Sequence, residues 1–297
     1  VHNLQPHQVK IISETEAELF YNPERLLPVE DSDSIFTTIA MGIFIEHLSI
    51  AAAQFGYKVI IDQLYDPIST KSLKSTLFAK LKLVLSSEKE VLDKQLIFKR
   101  RTSRVHYDGK ILNENTIQRI KKESEKFGQD FFYSSEKDIV DFVITLNEET
   151  LFEDLGSKPT RDELDRLFRY NKKEAELRKD GLWTKCMGFS GRLTRSVFKN
   201  HGEWTKGFRK KLLKKHYIST FKGTSTICWF GGIFNQTDDW VQCGRMLARN
   251  WLIMTDENAY IQPFGSLITN KNAYAKIIAK LTQPVNPKMT WMIFRAG

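Results

Sequence analysis

Cysteine is scarce in this sequence of 297 residues, and its placement excludes two common kinds of site. The three cysteines are Cys186, Cys228 and Cys243. They form no Cys-x-x-Cys pair, and no histidine stands at metal-ligand spacing from them, so the sequence predicts neither a disulfide framework nor a zinc site. Free thiols suit a reducing compartment, and we therefore expect a cytoplasmic location.

Long uncharged hydrophobic runs are also missing. A bilayer-spanning helix needs roughly 18 or more apolar residues. The nearest candidate, IFTTIAMGIFIEHLSIAAAQF, carries Glu46 and His47 near its centre. Because charged groups are costly in the middle of a span, we interpret this segment as a buried helix of a soluble protein and expect no membrane partner.

Familiar catalytic motifs are absent as well. The sequence contains no Walker loop, no G-x-G-x-x-G and no His-Glu metal pair, and GFSGR at 188–192 lacks the second spaced glycine of a nucleophile elbow. Metal-dependent hydrolysis and acid–base catalysis are therefore unsupported. What remains is suited to holding a flat ligand that is polar at its edge and phosphorylated.

Positive charge is in excess, with 45 Lys and Arg against 36 Asp and Glu and a net charge of +9. The densest basic run is FRKKLLKKHY at 208–217. On a helix it could form a patch for nucleic acid or anionic membranes, although the solvated face of a basic protein is the commoner outcome. Without an aromatic RNA-binding signature or zinc-finger spacing, we do not expect a nucleic-acid partner. The excess charge also suits a small phosphorylated ligand.

Hydrophobic periodicity predicts a mixture of strands and helices. We expect a strand hairpin from HQVKIIS and EAELFYN, a helix from Ile35 to about Phe55, and a strand in YKVIIDQL. The remaining predicted elements are a helix-and-strand mixture at 77–87, helices at 87–100, 114–127, 138–154 and 161–179, and a final strand at 291–297.

Two of the apolar helices share an internal pattern. Each follows acidic capping residues and contains a glycine, Gly42 or Gly244, and fourteen residues later stands a residue that tolerates left-handed backbone, Gly56 or Asn258. Glycine inside a helix costs about 1 kcal/mol relative to alanine, so close packing of another backbone is its usual reason. The pattern indicates two related halves packed together, with chance similarity as the alternative.

Three short segments could bind a phosphorylated ligand. KRRTSR places Arg100 and Arg104 around Thr102, and guanidinium groups with hydroxyls suit phosphate or an electron-rich ring edge. As a bare string it is more often plain surface charge. AYIQPFGSL at 259–267 could present backbone N–H groups, and Arg295 ends the last strand.

Several motifs occur in an order that resembles the nitroreductase superfamily, with the nearest likeness to its Acg-like FMN-binding members. These motifs are HNLQPH, LLPVEDSDSIFTTIAMGIFIEHLSIAAAQFGY, RRTSR, DGLW, WVQCGRMLARNWLIMTDENAYIQPFGS and MIFRAG. The resemblance implies an α+β, nitroreductase-like fold that binds FMN between two like subunits or two fused halves. We expect fused halves at 1–97 and 98–297, with most of the FMN site in the second.

The resemblance also implies site residues. The Arg-x-Thr-x-Arg element, Arg100, Thr102 and Arg104, would contact the flavin phosphate, ribityl chain and ring, while Asn3 and Gln5 would face the flavin from the other half. Because this element occurs once, we expect one FMN per chain.

Near the C-terminus, Pro263, Phe264 and Gly265 would lie over the ring and offer a backbone N–H to N5, and Arg295 would clamp the phosphate. Flavin N5 carries the chemistry, so no catalytic side chain is required. His7 departs from the family pattern, which has an aromatic residue after Gln-Pro.

The expected function is that of an FMN-dependent oxidoreductase, which passes hydride from NAD(P)H through the flavin to a small-molecule acceptor in a ping-pong cycle. One alternative is a flavin-binding protein without turnover. Another is one domain of a larger protein, with further residues preceding Val1, and a homodimer is the alternative to a fused pseudo-dimer.

Overall fold

A computed structural model describes residues 2–297 and contains two four-stranded antiparallel sheets. Sheet A has the strand order β1-β2-β4-β3, with β1 at His7–Ile11, β2 at Glu16–Tyr21, β3 at Tyr57–Leu64 and β4 at Thr76–Leu85. Sheet B has the order β5-β8-β10-β9, with β5 at Asp130–Ser134, β8 at Thr226–Gly232, β9 at Ile261–Pro263 and β10 at Met289–Ala296. A short parallel pair consists of β6 (Phe168–Arg169) and β7 (Leu182–Trp183).

Twelve α-helices connect and cover these strands within the described residues. They are α1 (Ile35–Ala53), α2 (Gln95–Lys99), α3 (Glu114–Glu125), α4 (Lys137–Asp154), α5 (Lys158–Leu167), α6 (Lys172–Arg178), α7 (Gly191–Lys199), α8 (His201–Trp204), α9 (Gly207–Ser219), α10 (Thr237–Asp256), α11 (Ser266–Thr269) and α12 (Lys271–Lys280). The fold is therefore α+β, as the resemblance implied.

The two sheets share one topology. In each, the strands follow the chain as two strands, a long helix and two more strands, and the order across the sheet is first, second, fourth and third. The long helix is α1 for sheet A and α10 for sheet B. Sheet B differs by the long insertion between β5 and β8, which carries α4 to α9.

The layers pack through three main apolar clusters. Sheet A packs on α1 through residues such as Leu19, Met41 and Phe78. Sheet B is covered on one face by α10 and on the other by α4 and α12, so that every residue of β8 is buried. Because apolar faces must be removed from water, this stacking places α1 and α10 together in the middle of the molecule.

A glycine pair sets the distance between α1 and α10. A Cβ added to Gly42 would lie 2.2 Å from the carbonyl oxygen of Val241 and 3.1 Å from the Cα of Gly244. A Cβ added to Gly244 would lie 2.2 Å from the carbonyl oxygen of Ile39. The predicted close packing of these two glycines is confirmed, and it allows the two helix backbones to touch.

Acidic side chains begin both helices. The Asp31 carboxylate accepts hydrogen bonds from the backbone N–H groups of Phe36 at 3.0 Å and Thr37 at 2.8 Å at the start of α1. Gln236 and Asp239 form a reciprocal capping box at the start of α10. These bonds satisfy N–H groups that a helix terminus leaves without partners.

By length and composition α1 could cross a bilayer. Here it is packed between α10 and sheet A, and its Glu46 is 3% exposed. Glu46 accepts hydrogen bonds from Arg245 at 2.8 Å and Arg249 at 2.9 Å. The helix is therefore a core element, as its charged centre predicted.

The hairpin, the strand at 57–64 and the last strand are confirmed, but three predicted elements are wrong. Residues 77–85 are a strand throughout, and within 87–100 only Gln95–Lys99 is helical. The predicted helix 161–179 is interrupted by β6, after which Asn171 caps α6. The division of the chain at residue 97 stays a prediction, with sheet A before it and sheet B after it.

Candidate functional site

The Arg-x-Thr-x-Arg element runs directly beside β9. Thr102 forms a parallel bridge with Ile261, and the backbone N–H of Ser103 donates to the carbonyl of Ile261 at 3.1 Å. Two segments that the sequence singled out, residues 100–104 and 259–267, are thus neighbours in the structure. This arrangement fixes the backbone from which Arg100 and Arg104 project.

Arg100 is a half-buried cation without an acceptor. Its guanidinium carbon lies 4.2 Å from the centroid of the Trp251 ring, and its Nε is buried without a hydrogen-bond partner in the described part of the chain. Burial lowers the pKa of Arg100. A buried donor without an acceptor costs free energy, so this position suits a ligand that brings one.

Two neighbouring nitrogens share this condition. His47 Nε2 and Trp251 Nε1 are both buried, and neither has a hydrogen-bond partner among residues 2–297. Burial, followed by the charges of Arg100 and His7, lowers the pKa of His47 to about 4. His47 is therefore neutral at pH 7, while Arg100 supplies the positive charge of the cluster.

Arg104 is the second cation without a partner. Its guanidinium makes no hydrogen bond to any described residue, and burial lowers its pKa against the opposing influence of Tyr217, Tyr107 and Cys186. Burial lowers the pKa of Arg295 and the charge of Arg104 adds to this effect, so two positive charges lie close together here. With no carboxylate beside it, Arg104 favours an anionic or electron-rich ligand.

Arg295 has a different role from the expected phosphate clamp. It is 0% exposed and donates to Gln262 Oε1 at 2.9 Å, Thr224 Oγ1 at 2.9 Å and the carbonyl of Val105 at 2.8 Å. Its guanidinium also stacks on Tyr107. Because these contacts occupy all three guanidinium nitrogens, Arg295 braces the protein, and the phosphate-clamp prediction is corrected.

The Pro263-Phe264-Gly265 stretch also differs from expectation. The backbone N–H of Phe264 donates to the carbonyl of Ile293 at 2.8 Å, and its ring is 2% exposed and packs on Phe221. Phe264 is thus a core residue and cannot offer its N–H to a ligand. Gly265 keeps an N–H without a partner in the described structure and has open space beside its Cα.

Asn3 and Gln5 dock on the turn at 179–181. Gln5 Nε2 donates to Asn3 Oδ1 at 3.0 Å and to the carbonyl of Lys179 at 2.9 Å, while the carbonyl of Asn3 accepts from the N–H of Gly181 at 3.1 Å. Asn3 Nδ2 and Gln5 Oε1 stay without partners among the described residues. Only part of each amide is therefore available to a ligand.

The insertion between β5 and β8 contains none of the predicted site residues. Tyr217 on α9 receives a hydrogen bond from Asn147 Nδ2 at 2.8 Å, and its ring stacks with Phe189 at a centroid distance of 6.5 Å. Together with Cys186, this residue brings the insertion beside Arg104. One of the missed residues could have been found from the sequence, because His47 is a polar side chain within the apolar helix α1.

A cleft of about 320 Å³ opens beside Arg100. Its polar lining includes Lys99, Arg101 and Asn258, and Arg101 donates to the hydroxyl of Tyr260 at 2.8 Å. Within residues 2–297, no group of three or more His, Cys, Asp or Glu side chains is placed to hold a metal ion. The accessible chemistry of the region is therefore that of cations and N–H donors.

No protein-family model and no curated protein matches the sequence. Among solved structures, the chain is similar to the FMN-dependent nitroreductase NfnB from Mycobacterium smegmatis in complex with NADPH, with 14% identity, 69% of this chain and 86% of that chain covered, and a TM-score of 0.36.

It is also similar to a nitroreductase with bound FMN from Bacteroides fragilis, with 14% identity, coverage of 68% and 86%, and a TM-score of 0.38. A nitroreductase-like family protein from Bacillus cereus gives 11% identity, coverage of 72% and 88%, and a TM-score of 0.33. These likenesses are too distant to assign the chain to a family.

Proposed function

We propose that the chain is an FMN-dependent oxidoreductase of the nitroreductase superfamily, of the Acg-like branch, with NAD(P)H as reductant and a small molecule as acceptor. The observation that carries this proposal is the pair of half-buried guanidinium groups, Arg100 and Arg104, on one Arg-x-Thr-x-Arg element without a carboxylate or any other acceptor. A flavin nucleotide brings both a phosphate and an electron-rich ring edge.

The residues present fit FMN with a smaller set of contacts than the resemblance implied. The unpaired nitrogens of Arg100 and Trp251 suit phosphate oxygens, and the free N–H of Gly265 suits a ring acceptor. Arg104 would stabilise the negative charge that collects on the polar edge of a reduced ring. When bound, FMN supplies hydride acceptance and hydride return at N5.

The two-half organisation belongs to the same proposal. The repeated strand order and the Gly42–Gly244 crossing support two fused halves, at 1–97 and 98–297, that take the place of two subunits. The single Arg-x-Thr-x-Arg element then predicts one FMN per chain. A cytoplasmic location remains a prediction.

A second function, flavin binding without turnover, is favoured by one observation. Burial lowers the pKa of Arg104 and the Tyr217 and Cys186 side chains of the insertion oppose that effect, so the insertion lies near Arg104, and a cover over the flavin would restrict access of a nicotinamide ring. The two functions share the cofactor and differ only in whether hydride enters from NAD(P)H.

Anaerobic mixing of the FMN-loaded protein with NADPH or NADH separates them. Turnover predicts loss of the oxidised-flavin absorbance at about 450 nm and its return when an acceptor such as a nitroaromatic compound or a quinone is added. A yellow protein whose spectrum does not respond to either nucleotide would leave only the binding function. A protein that stays colourless after incubation with FMN would contradict both.

A further inference from the structure

The net positive charge of the chain is concentrated in residues 184–222, which we call the basic segment. This segment contains eleven Lys and Arg and one acidic residue, Glu203, a net charge of +10. The rest of the chain has 34 basic and 35 acidic residues, since the whole chain has 45 and 36. Outside the basic segment the protein is thus close to neutral. The solvated face of a uniformly basic protein does not explain this concentration of charge.

Helix α9 lies at the centre of the basic segment and presents one face to solvent. None of its residues is buried. Phe208, Lys211, Leu212 and Lys215 follow the i, i+3, i+4, i+7 spacing that places side chains on one helix face. Phe208 is 78% exposed and Leu212 is 51% exposed, so the two apolar groups of this face lie in water.

Contacts on the opposite side fix the orientation of α9. Lys214 pairs with Glu148 at 2.7 Å, and the Tyr217 hydroxyl accepts from Asn147, both on α4. The side of α9 that carries Lys214 and Tyr217 therefore faces the protein. The side that carries Phe208 and Leu212, called here the outer face, points away from it.

The lysines of the outer face have no carboxylate partners. Within the described residues, neither Lys211 nor Lys215 has an Asp or Glu oxygen within 4.0 Å. In contrast, Arg209 at the edge of the face pairs with Glu203. The outer face thus combines unneutralised ammonium groups with exposed apolar side chains.

We propose that the outer face of α9 docks on an anionic lipid surface. An interfacial helix buries Phe and Leu at the boundary of headgroups and acyl chains, while flanking lysines meet the anionic headgroups. The positive charge of the outer face and the exposed apolar side chains at its centre both favour an anionic lipid surface as the partner. Nucleic acid could bind the lysines, but it offers no comparable apolar region in which Leu212 would be buried.

This docking replaces the expectation of no membrane partner, because it concerns a surface-bound helix and not a spanning one. It is also independent of the proposed cofactor function. The basic segment carries Tyr217 toward Arg104 on its inner side, so the membrane surface would lie next to the cover of the candidate site.

Co-sedimentation of the full chain with vesicles tests the proposal. Vesicles of phosphatidylcholine with about 30 mol% phosphatidylserine are expected to pellet the protein, and vesicles of phosphatidylcholine alone are not. The variant Lys211→Glu/Lys215→Glu should weaken binding by more than about tenfold, since each lysine contributes about fivefold near such a surface. The variant Phe208→Ser/Leu212→Ser should leave only weak binding that is lost when salt is added.

The loop at Lys71–Leu73–Lys74 provides a matched control. Leu73 is 99% exposed and is flanked by two exposed lysines outside the basic segment. Lys71→Glu/Lys74→Glu and Leu73→Ser should bind anionic vesicles as the parent chain does, and thermal unfolding should be unchanged in all variants.

Three results would overturn the proposal. One is equal binding to neutral and anionic vesicles. Another is anionic-vesicle binding that Phe208→Ser/Leu212→Ser leaves unchanged at every salt concentration. The third is tight, salt-dependent binding of duplex DNA by a chain that ignores vesicles, which would assign the basic segment to nucleic acid.

Discussion

Arg100 is half-buried and Arg295 is fully buried, and the two arginines differ in what their guanidinium groups contact. Arg295 donates to side-chain and backbone oxygens of the protein at 2.8 to 2.9 Å. The Arg100 guanidinium lies over the Trp251 ring, and its Nε has no hydrogen-bond partner among the described residues. A guanidinium that the protein satisfies serves stability, whereas one that it leaves unsatisfied is available for binding.

Replacing Arg100 by alanine should weaken FMN binding without destabilising the protein. Loss of charge-assisted hydrogen bonds to phosphate, each worth about 1.5–3 kcal/mol, corresponds to about 10- to 100-fold in Kd. Fluorescence titration of FMN measures the effect, and Arg192→Ala, at an exposed position, is the control. Equal Kd values for Arg100→Ala and the parent chain would remove Arg100 from the site.

Replacing Arg295 by alanine should instead destabilise the protein. The loss of several buried hydrogen bonds is expected to lower the free energy of unfolding by about 2–4 kcal/mol in urea titrations. Lysine at this position should not restore it, because an ammonium group cannot reach the three separated acceptors. A variant of normal stability that no longer binds FMN would reinstate Arg295 as a phosphate ligand.

His47 should make the protein less stable in acid. Its pKa is about 4 in the folded chain, against the ordinary value of 6.5 for a histidine, so below pH 6.5 the unfolded chain binds a proton that the folded chain does not. The free energy of unfolding should therefore fall between pH 6.5 and pH 4, by up to about 3 kcal/mol from this group. In His47→Gln this part of the decrease should be missing; identical pH profiles would contradict the assignment.

The sequence predicted the cationic element of the site but not its neighbours. Arg100, Thr102 and Arg104 could be found because they are close in the chain. Trp251 and Tyr217 approach them only after folding, and no local pattern marks such contacts. The resemblance placed Arg295 at a ligand, but whether its donors are free depends on Gln262, Thr224 and Val105, which only the structure brings together.

Among the secondary-structure elements, hydrophobic periodicity correctly predicted those segments that pack with one regular apolar face. Helices α1, α3 and α4 begin and end close to the predicted positions. It failed at 87–94, where Glu90 receives hydrogen bonds from Arg249 at 2.8 and 3.0 Å and Leu92 is 2% exposed. These tertiary contacts hold the segment in a non-helical conformation against its local helical preference.

The helix crossing gives a direct prediction at this scale. Gly42→Ala should lower the free energy of unfolding by about 1–3 kcal/mol, because its Cβ would lie 2.2 Å from the Val241 carbonyl oxygen. Gly202→Ala in α8 is the matched control: no atom lies within 4 Å of an added Cβ, so the change should be neutral or stabilising by up to about 1 kcal/mol. If Gly42→Ala and Gly202→Ala had equal effects on stability in thermal and urea unfolding, the crossing of α1 and α10 would not be tight.

At the scale of the whole molecule, the repeated strand order is the feature that the sequence only suggested. Two helices with similarly placed glycines indicated related halves, and the structure adds the same antiparallel topology on both sides of the α1–α10 pair. Strand pairing over long sequence separations cannot be read from local patterns. Only one of the two halves carries an Arg-x-Thr-x-Arg element, so the molecule is symmetric in topology and asymmetric in its candidate site.

The central claim is that one FMN binds per chain at Arg100 and Arg104. The most direct measurement is the visible absorbance of protein reconstituted with FMN and freed of excess by gel filtration, for the parent chain and for Arg100→Ala/Arg104→Ala. We expect a yellow parent chain with one FMN per chain and a nearly colourless double variant of unchanged thermal stability. A colourless parent chain, or a double variant that retains the flavin in full, would contradict it.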